Sequence, residues 1–470
     1  MSKTALPRQA DGFPAWYAET VRRADLAEHG PVRGTMIIRP YGTAIWELVQ
    51  RALDDRIKAT GHENVVFPML MPAALLEREA EMVDGFAPEV AVVTRAGGAE
   101  LAEPLVLRPT SEALVWSTYA GWLQSYRDLP LLYNQWANVV RWEMRPRLFL
   151  RSTEFLWQEG HTAHETHAAA QAEARLILDE VYAATLRDVL AIPVLRGRKS
   201  PSERFPAALD TLTCEVMLRD RKALQAATSH DLGQSFARTY GVTFTDRNGR
   251  PAYPYATSWG ASTRLIGALV MAHGDDRGLR LPPAVAPHQV VIVPIGDTGS
   301  AAAALADELL GHGVRVRVDD RDLREGAKFH EWDRKGVPLR IDLGPRDLAA
   351  GSAVVTRRDT GSQRPEALDG LAARTPSRLA EIQRSLYDEA LDFHHAHTAA
   401  TDDRAFAYDR LARGEGWVSG GWCGREVCEQ DVKQATGATI RCLPHELDPE
   451  PNCLVCDQPS VGNAVWALAY

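Results

Sequence analysis

R-W-E-M-R-P-R-L-F-L-R-S-T-E-F-L-W-Q-E-G-H, residues 141–161, alternates charged side chains with apolar and aromatic ones. Period-2 alternation on both sides of a turn that contains Pro146 predicts an antiparallel hairpin. Its two β-like segments are expected at residues 138–143 and 148–157.

Charged residues recur on each arm of the hairpin. Arg141 and Glu143 are expected to share one sheet face, as are Arg151 and Thr153, since alternate residues of a strand point the same way. Arginines and carboxylates are costly to bury without partners. A polyanion with an amine or a ribose beside it would supply such partners, because guanidinium groups clamp phosphates and carboxylates accept from ammonium and hydroxyl groups. A surface hairpin with a ladder of salt bridges is the other interpretation.

Length and charge narrow the class of protein. A chain of 470 residues is expected to form about two to four domains. It has no apolar run of spanning length and no signal-peptide pattern at its N-terminus, so we expect a cytoplasmic protein without a membrane partner. The net charge of −9 argues against a general nucleic-acid binder but leaves room for a local basic face.

The order of predicted elements divides the chain into three parts. Residues 1–283 show mainly antiparallel strands with interspersed helices, a strand at 65–71 that Pro68 places at a sheet edge, and no glycine-rich phosphate loop. A proline-rich linker at 281–287 is followed by alternating strands and helices in residues 284–398. Residues 399–470 form a third, smaller unit. The fold class is therefore α+β, with an α/β domain in the middle.

Two further segments point to ligands. R-P-T-S-E at 108–112 precedes a helix, for which Thr110 and Ser111 are possible N-caps; the alternative is that Thr110 and Glu112 direct acceptors into a pocket. Small residues before Arg264 open another helix, whose N-terminus favours anions. A nucleotide would have to be held by side chains such as Arg141, Arg151 and Arg264.

The second and third units carry their own signals. Phe329 and Trp332 lie among basic residues of 321–358, which suits either contact with single-stranded nucleic acid or a solvated charged face. Near the C-terminus a C-x4-C pair and a C-x2-C pair favour a tetrahedral zinc site over unrelated buried thiols. Its four thiols would be Cys423, Cys428, Cys453 and Cys456.

Taken together, these motifs resemble a class II aminoacyl-tRNA synthetase, most closely a prolyl-tRNA synthetase of the archaeal/eukaryotic type. Pro68 matches motif 1 at the dimer interface, Arg141 to Phe155 match motif 2, and Gly260 to Arg264 match motif 3. The resemblance covers almost the whole chain. The more specific segments are R-P-T-S-E (108–112), N-Q-W-A-N-V-V-R-W-E (134–143), T-E-F-L-W-Q-E-G-H-T-A-H (153–164), T-S-H-D-L-G-Q (228–234), H-G-D-D-R-G-L-R-L-P-P (273–283) and K-F-H-E-W-D-R-K-G-V-P-L-R (328–340).

The resemblance implies a fold and a reaction. Residues 1–283 would be the catalytic domain, 284–398 the anticodon-binding domain and 399–470 a structural zinc domain. The protein would be a homodimer that activates L-proline with ATP and Mg²⁺ to prolyl-adenylate and pyrophosphate, and then transfers proline to the 3′ end of tRNA(Pro). The spacing of motifs 2 and 3 leaves no room for the editing insertion of bacterial-type enzymes.

The resemblance also implies residue roles. The catalytic residues would be Arg141, Glu143 and Arg264. The ATP site would contain Phe86, Glu89, Val90, Arg141, Glu143, Arg151, Ser152, Gln225, Thr228, Ser258 and Arg264. The proline site would contain Thr110, Glu112, Arg141, Trp157, Glu159, Phe205, His230, Ser258, Trp259 and Gly260. The anticodon would meet Phe329, Asp333 and Arg340, zinc would bind Cys423, Cys428, Cys453 and Cys456, and the C-terminal Tyr470 would fold toward the active site.

Some positions depart from the family pattern. Ala227 stands where the family usually has glycine, and Pro206-Ala207-Ala208 replaces Ala-Gly-Ala beside Phe205. One hypothesis is therefore a drug-tolerant second copy of the enzyme. A second hypothesis is a non-catalytic tRNA-sensing paralogue, which should have lost motif arginines that are present here. A third is a ligase for another acceptor, which would not need the basic α/β domain.

Overall fold

The computed structural model describes residues 6–82, 89–445 and 450–470. Its helices are α1 (Gln9–Arg23), α2 (Pro40–Ala59), α3 (Ala73–Met82), α4 (Glu112–Trp122), α5 (His167–Leu176), α6 (Ala184–Asp188), α7 (Ser235–Thr239), α8 (Arg264–His273), α9 (Gly299–Gly311), α10 (Glu325–Lys335), α11 (Pro345–Ala349), α12 (Leu371–Ala396), α13 (Arg404–Ala412) and α14 (Glu426–Thr436). A π-helical segment, Ile177–Ala183, joins α5 to α6. Across the described ranges, no helix is both long and apolar enough to span a membrane.

The strands group into one large sheet and several smaller ones. They are β1 (Ala27–His29), β2 (Met36–Ile38), β3 (Glu63–Asn64), β4 (Leu70–Pro72), β5 (Val92–Ala96), β6 (Ala99–Leu107), β7 (Leu131–Val140), β8 (Glu154–His164), β9 (Leu195–Arg198), β10 (Asp210–Met217), β11 (Ala223–Gly233), β12 (Phe244–Thr245), β13 (Pro251–Ala252), β14 (Tyr255–Ser262), β15 (Val290–Pro294), β16 (Val316–Val318), β17 (Leu339–Leu343), β18 (Ser352–Arg357), β19 (Gln363–Ala367), β20 (Thr398–Ala400), β21 (Trp417–Trp422), β22 (Thr439–Pro444) and β23 (Gly462–Ala467).

The large sheet has the strand order β20-β21-β23-β22-β9-β10-β11-β14-β8-β7-β3. Its central strands, β10, β11, β14, β8 and β7, all pair antiparallel. Parallel pairing occurs at its two ends, between β20 and β21 and between β3 and β7. Helices α1, α2 and α8 supply apolar side chains to the core cluster that also contains residues of β10, β11 and β14. The predicted α+β class with an antiparallel catalytic sheet is confirmed.

The predicted hairpin is present as β7 and β8, but its charged residues lie elsewhere than expected. The strands end at Val140 and resume at Glu154, and the Arg141 N–H donates to the Thr153 carbonyl at 2.8 Å. The expected shared strand faces for Arg141 with Glu143 and for Arg151 with Thr153 are therefore wrong. A tight turn, in which the Arg147 N–H donates to the Arg151 carbonyl at 2.7 Å, folds the connection back on itself and prevents a continuous ladder.

The predicted strand at 65–71 is also wrong in extent. β3 ends before this segment and β4 begins near its end, so Pro68 lies between two strands. Pro68 has no N–H to donate to a ladder. The backbone beside Pro68 forms its hydrogen bonds with side chains instead of with another strand. The Phe67 N–H donates to the Gln135 side chain at 3.0 Å, and the Arg108 guanidinium donates to the carbonyls of Phe67 and Pro68 at 2.7 and 3.2 Å.

The second part of the chain forms a five-stranded sheet in the order β16-β15-β17-β18-β19. β15 pairs parallel to both β16 and β17, with α9 and α10 in the connections between them. This arrangement confirms the predicted α/β organisation of this part. Strands β15 and β17 are buried along almost their whole length, as expected for central strands that have apolar clusters on both faces of their sheet.

The C-terminal strands do not form an isolated sheet. β22 pairs with β9, placing Leu443 opposite Arg198 and Pro444 opposite Gly197. A Cβ at Gly197 would lie 2.2 Å from the Leu443 carbonyl oxygen, so only glycine permits this approach without a shift of the backbone. The C-terminal part thus continues the large sheet.

Candidate active site

A cavity of about 300 Å³ opens over β8, β11 and β14. A neighbouring cavity of about 260 Å³ shares Arg141 and Arg264 with it. All of the residues predicted for proline border the first cavity: Thr110, Glu112, Arg141, Trp157, Glu159, Phe205, His230, Ser258, Trp259 and Gly260. Residues that are far apart in the sequence therefore meet at one place, while their roles toward proline remain predictions.

Glu159 is the centre of a hydrogen-bond network on the cavity floor. Its side chain is buried, and Oε1 accepts from Ser111 and Gln135 at 2.5 Å each, while Oε2 lies 3.0 Å from His161 Nε2. Burial alone would raise the pKa of Glu159, but the hydrogen bonds from His161, Ser111 and Gln135 outweigh it and lower the pKa. Glu159 is therefore held as a carboxylate.

A second carboxylate, Glu112, lies beside this network. It is the first residue of α4 and accepts a hydrogen bond from the Thr110 hydroxyl. One ligand atom from each of Glu112, Glu159 and His161 fits within a 4.8 Å cluster. Burial would lower the pKa of His161, but the hydrogen bond and charge of Glu159, together with Glu112, raise it. Even with His161 protonated, two carboxylates leave a net negative charge, which suits an ammonium group.

Sequence reasoning missed Ser111, Gln135 and His161. Ser111 occupies the N-cap position of α4, but its hydroxyl donates to Glu159 rather than capping the helix. His161 is two residues after Glu159 on the same strand, and Gln135 is the direct cross-strand neighbour of Glu159. His161 could have been identified from the sequence, because alternate residues of a strand point to the same face. Gln135 could not, because its place beside Glu159 follows from the register between two strands.

Aromatic rings form the cavity walls. The Arg141 guanidinium lies 5.2 Å from the Trp157 ring and 5.7 Å from Phe155. Phe205 and His230 have ring centroids 5.0 Å apart, and His230 Nδ1 lies 2.9 Å from the Thr211 hydroxyl. Burial lowers the pKa of His230 to about 3, so this ring is neutral at pH 7 and can pack against an apolar ligand.

Trp259 borders the cavity differently from the other aromatic residues. Its side chain is 2% exposed, and its indole packs edge-on against His62 at 5.1 Å and Tyr182 at 6.4 Å. Its ring is therefore part of the core. Ser258 Oγ and Trp157 Nε1 also border the cavity and are buried without a hydrogen-bond partner among the described residues. A ligand in the cavity would supply hydrogen-bond partners for both atoms.

The opposite side of the cavity is cationic. Burial lowers the pKa of Arg264 to about 10, and the neighbouring Arg141 and Arg151 add to this effect. Arg141 keeps surface exposed to the cavity, yet desolvation also lowers its pKa. Within the described part of the chain, no ion pair within 4.0 Å joins Arg141, Arg151 or Arg264 to a carboxylate, although the charges of Glu112 and Glu159 act on Arg141 from further away. Three repelling guanidinium groups without carboxylate partners favour an anion between them.

The remaining ATP-site predictions fall around these arginines. Glu143, Arg151 and Ser152 line the second cavity, while Gln225 and Thr228 line the first. The residues predicted at the ATP border, Glu89 and Val90, line a third, open cavity together with Trp142. The predicted Phe86 lies outside the described residues.

The predicted anticodon residues lie together in the second part of the chain. The Arg340 guanidinium lies 4.1 Å from the Phe329 ring and 3.3 Å from the Asp333 carboxylate. Arg340 is buried and also pairs with Asp342 at 2.9 Å. Two carboxylates thus fix this arginine, and the second oxygen of Asp333 accepts from Arg277, which leaves the half-buried Phe329 ring as the more accessible group.

The four predicted zinc ligands converge near the C-terminus. The Sγ atoms of Cys423, Cys428, Cys453 and Cys456 all lie within 4.8 Å of one another, with Cys423 3.5 Å from Cys428 and 3.7 Å from Cys456. Zn–S bonds of about 2.3 Å in a tetrahedron place sulfur atoms about 3.8 Å apart. The cluster therefore has the dimensions of a Cys₄ metal site.

Sequence comparisons agree with this geometry. Family models match residues 96–273 as the tRNA synthetase class II core domain (G, H, P, S and T), residues 289–375 as the anticodon binding domain, and residues 408–470 as the prolyl-tRNA synthetase C-terminal domain. The chain is 49% identical to a proline–tRNA ligase of Mycobacterium leprae (strain Br4923) over an alignment of 482 positions, gaps included, which covers all of this chain and 99% of that protein. The chain belongs to the class II prolyl-tRNA synthetases.

Two further relatives support the same family assignment. The proline–tRNA ligase of Chlorobium phaeobacteroides (strain BS1) is 49% identical over the full length of both chains. The prolyl-tRNA synthetase of Cryptosporidium parvum, complexed with halofuginone and AMPPNP, matches with a TM-score of 0.95 and 36% identity over 99% of each chain. The predicted function, ligation of proline to tRNA, is confirmed. The boundaries 1–283, 284–398 and 399–470 enclose the matched regions but remain predictions.

Replacing Arg264 should lower the activity of the protein without lowering its stability. Because Arg264 is desolvated and repelled by two other arginines, the Arg264→Gln variant should keep or gain free energy of unfolding in urea. On the prediction that Arg264 holds the γ-phosphate, the variant's proline-dependent ATP–pyrophosphate exchange should fall by about a hundredfold or more, because a cation that stabilises the charge of the departing pyrophosphate would be lost. Arg384→Gln, at an exposed position of α12, is the matched control. A variant that loses stability but keeps exchange would contradict this assignment.

Proposed function

We propose that the two joined cavities hold proline and ATP for adenylate formation. The observation that carries the proposal is the division of charge: Glu112 and Glu159 lie at one end, while Arg151 and Arg264 lie at the other, with Arg141 between them. Free proline is a zwitterion, and ATP is a polyanion. This arrangement directs the amino-acid carboxylate toward the phosphates.

Proline would bind at the acidic end. Its secondary ammonium group would donate to Glu112 and Thr110, with the charge of Glu159 nearby. Its ring would fill the space between Trp157, Phe205 and His230, whose rings border the cavity. Arg141 would hold the proline carboxylate. The small, neutral aromatic enclosure explains why a compact apolar ring is the preferred side chain.

ATP would bind at the basic end. Arg141 would contact the α-phosphate and Arg264 the γ-phosphate, with Arg151 adding a third cation. The other ATP contacts that we propose are Glu143, Ser152, Gln225, Thr228 and Ser258, with Phe86, Glu89 and Val90 at the border. Mg²⁺ would arrive on the phosphates, since it keeps several waters and usually takes few protein ligands.

The reaction would proceed without a covalent enzyme intermediate. A carboxylate oxygen of proline attacks the α-phosphorus, one new P–O bond forms, and the bond to pyrophosphate breaks. Positioning by Arg141 and electrostatic stabilisation by Arg264 are the contributions of the chain. The terminal ribose hydroxyl of tRNA then attacks the adenylate carbonyl, releasing AMP. Phe329, Asp333 and Arg340 would contact the anticodon.

We also propose the archaeal/eukaryotic type of architecture. It is supported by the full-length structural match to the Cryptosporidium parvum enzyme and by the short separation between motif 2 and motif 3. The Tyr470 ring lies within 5.5 Å of the Arg147 guanidinium, and its hydroxyl donates to Asp220 at 2.6 Å. The C-terminus is thereby anchored beside the motif 2 connection. A cytoplasmic location follows from the proposed role in translation.

The three competing hypotheses differ in how the site is used. A tRNA-sensing paralogue would leave Arg141, Arg151 and Arg264 without a catalytic purpose, and a ligase for another acceptor would have no use for the anticodon-binding domain. A drug-tolerant second copy remains compatible with the proposed reaction. Ala227 borders the first cavity opposite Cys214 and Ala261 of the neighbouring strands. Equal inhibition of the protein and its Ala227→Gly variant by halofuginone would contradict that hypothesis.

The Glu112→Gln variant tests the proline end. Because the ammonium group would lose its charged acceptor, KM for proline should rise by about ten- to a hundredfold, as for a lost hydrogen bond to a charged group. KM for ATP should change little. Steady-state ATP–pyrophosphate exchange measures both constants. Glu154→Gln, at the exposed start of β8, is the control. A selective rise in KM for ATP would refute the assignment.

The cysteine cluster is proposed to hold one structural Zn²⁺. Its sulfur spacing fits tetrahedral thiolate coordination, and Arg425 donates to Cys456 at 2.9 Å, which favours the thiolate. Mass spectrometry of purified protein should find about one zinc per chain. Cys428→Ser should lose the metal and lower Tm, whereas Cys214→Ser should retain it. A zinc-free wild type that is equally stable with and without added zinc would exclude the site.

A homodimer is proposed through the segment around Pro68. Val66 is 87% exposed, and Met69 and Leu70 add further apolar surface beside the sheet edge formed by β3. Large exposed apolar patches mark interfaces. Val66→Asp should convert a dimer to monomers in sedimentation velocity, while Val461→Asp, at another exposed valine, should not. A wild-type monomer at micromolar concentration would refute the proposal.

A further inference from the structure

The wall of the proline cavity is formed partly by a loop between β9 and β10, residues 199–209, here called the Phe205 loop. Glu203, Arg204 and Phe205 of this loop all border the cavity. The Phe205 N–H donates to the Thr211 hydroxyl at 3.1 Å, and Thr211 in turn contacts His230. The position of this loop therefore determines the width of the site.

The beginning of the Phe205 loop is bound to a helix of the C-terminal part. Ser200 Oγ donates to Glu429 Oε2 at 2.8 Å, and the Ser202 hydroxyl donates to the same oxygen. Glu429 is 8% exposed and Ser200 is fully buried, so water does not compete freely for these bonds. Hydrogen bonds to a carboxylate in such a place are stronger than those at the surface.

A second connection reaches the loop one residue later. Arg441 of β22 places Nη1 3.5 Å from Glu203 Oε2, while its Nε lies 3.3 Å from Glu215 Oε2. Lys199 Nζ donates to Glu215 Oε1 at 2.7 Å and to the Arg441 carbonyl at 2.9 Å. Lys199, Glu215 and Arg441 are buried, so the loss of Glu215 would leave two buried cations without their carboxylate, and the loss of Arg441 would leave Glu203 of the loop without its cation.

We propose that Glu429 and Arg441 are positioning residues that fix the Phe205 loop and thereby set proline affinity and selectivity. The inference rests on the proposed use of the cavity for proline. Neither residue borders the cavity, so each acts through the loop. The C-terminal part of the chain thus takes part in amino-acid selection, beyond its continuation of the sheet.

A purely structural anchor is the competing explanation, and it makes a different prediction. If the contacts only stabilise the C-terminal part, their loss should lower Tm and the amount of active enzyme but leave KM unchanged. If they position Phe205, their loss should raise KM for proline more than KM for ATP. Discrimination against alanine should also weaken, because alanine makes fewer contacts with the cavity wall.

The test uses the full-length protein with its metal content measured. Glu429→Ala removes the contact from the C-terminal side, and the double variant Ser200→Ala/Ser202→Ala removes it from the loop side, far in sequence from the cysteines. In both variants kcat/KM for proline in ATP–pyrophosphate exchange should fall by about tenfold, and that for alanine by less than about threefold. Glu426→Ala, an exposed position on the same helix α14, should match the wild type.

The combined variant distinguishes the two explanations further. When Glu429→Ala is added to the serine variant, the effects should be non-additive, because both changes remove the same contact. Glu429→Gln, which can still accept hydrogen bonds, should recover part of the loss. Arg441→Lys provides an independent test if Glu429→Ala does not fold, with the same selective rise in KM for proline expected.

The outcomes are separable from those of the proposed function. A wild type without proline-dependent exchange would refute the proposed function itself. A wild type that exchanges with proline, alongside folded, metal-loaded variants with unchanged KM and unchanged discrimination against alanine, would overturn the positioning role. Fully additive effects in the combined variant would also overturn it.

Discussion

The site depends on the packing of the Trp259 indole over Gly160. A Cβ at Gly160 would lie 2.1 Å from the indole ring, so glycine is required directly opposite Trp259 in the β8–β14 pairing. A slip of one residue would turn every side chain of a strand to the other face. This contact therefore keeps Glu159 and Ser258, which flank the pair, at the cavity, and it places the tryptophan ring in the core with His62 and Tyr182.

The same sheet separates charges that would otherwise neutralise each other. Glu159 is satisfied by Ser111, Gln135 and His161, whereas Arg264 has its pKa lowered by burial and by the neighbouring arginines. The acidic end is thus pre-organised, whereas the basic end holds arginines that repel one another, and the proposed binding of a polyanion would relieve this repulsion. Preformed dipoles and charges of this kind need little reorganisation during reaction, which is why such sites accelerate it. The associated cost in stability is typical of catalytic sites.

Much of this could be predicted from the sequence, but unevenly. Local patterns identified the β7–β8 hairpin, the start of α8 at Arg264 and the cysteine pairs, because each depends on residues close in sequence. The extent of the strand around Pro68 was predicted wrongly. The side chains of Arg108 and Gln135, which are distant in sequence, bind the backbone there in place of a neighbouring strand. The contacts of Glu429 with the Phe205 loop join residues more than 200 positions apart. Periodicity contains no information on such pairings, which arise from tertiary packing.

ATP–pyrophosphate exchange with the wild-type protein, measured separately with each of the twenty amino acids, tests the central claim most directly. The charge-divided cavity with its aromatic enclosure predicts exchange with proline far above that with every other amino acid. Exchange that is equally strong with an acyclic amino acid would contradict the assignment of Trp157, Phe205 and His230 to a ring-selective wall. No exchange with any amino acid would contradict the proposed adenylation site as a whole.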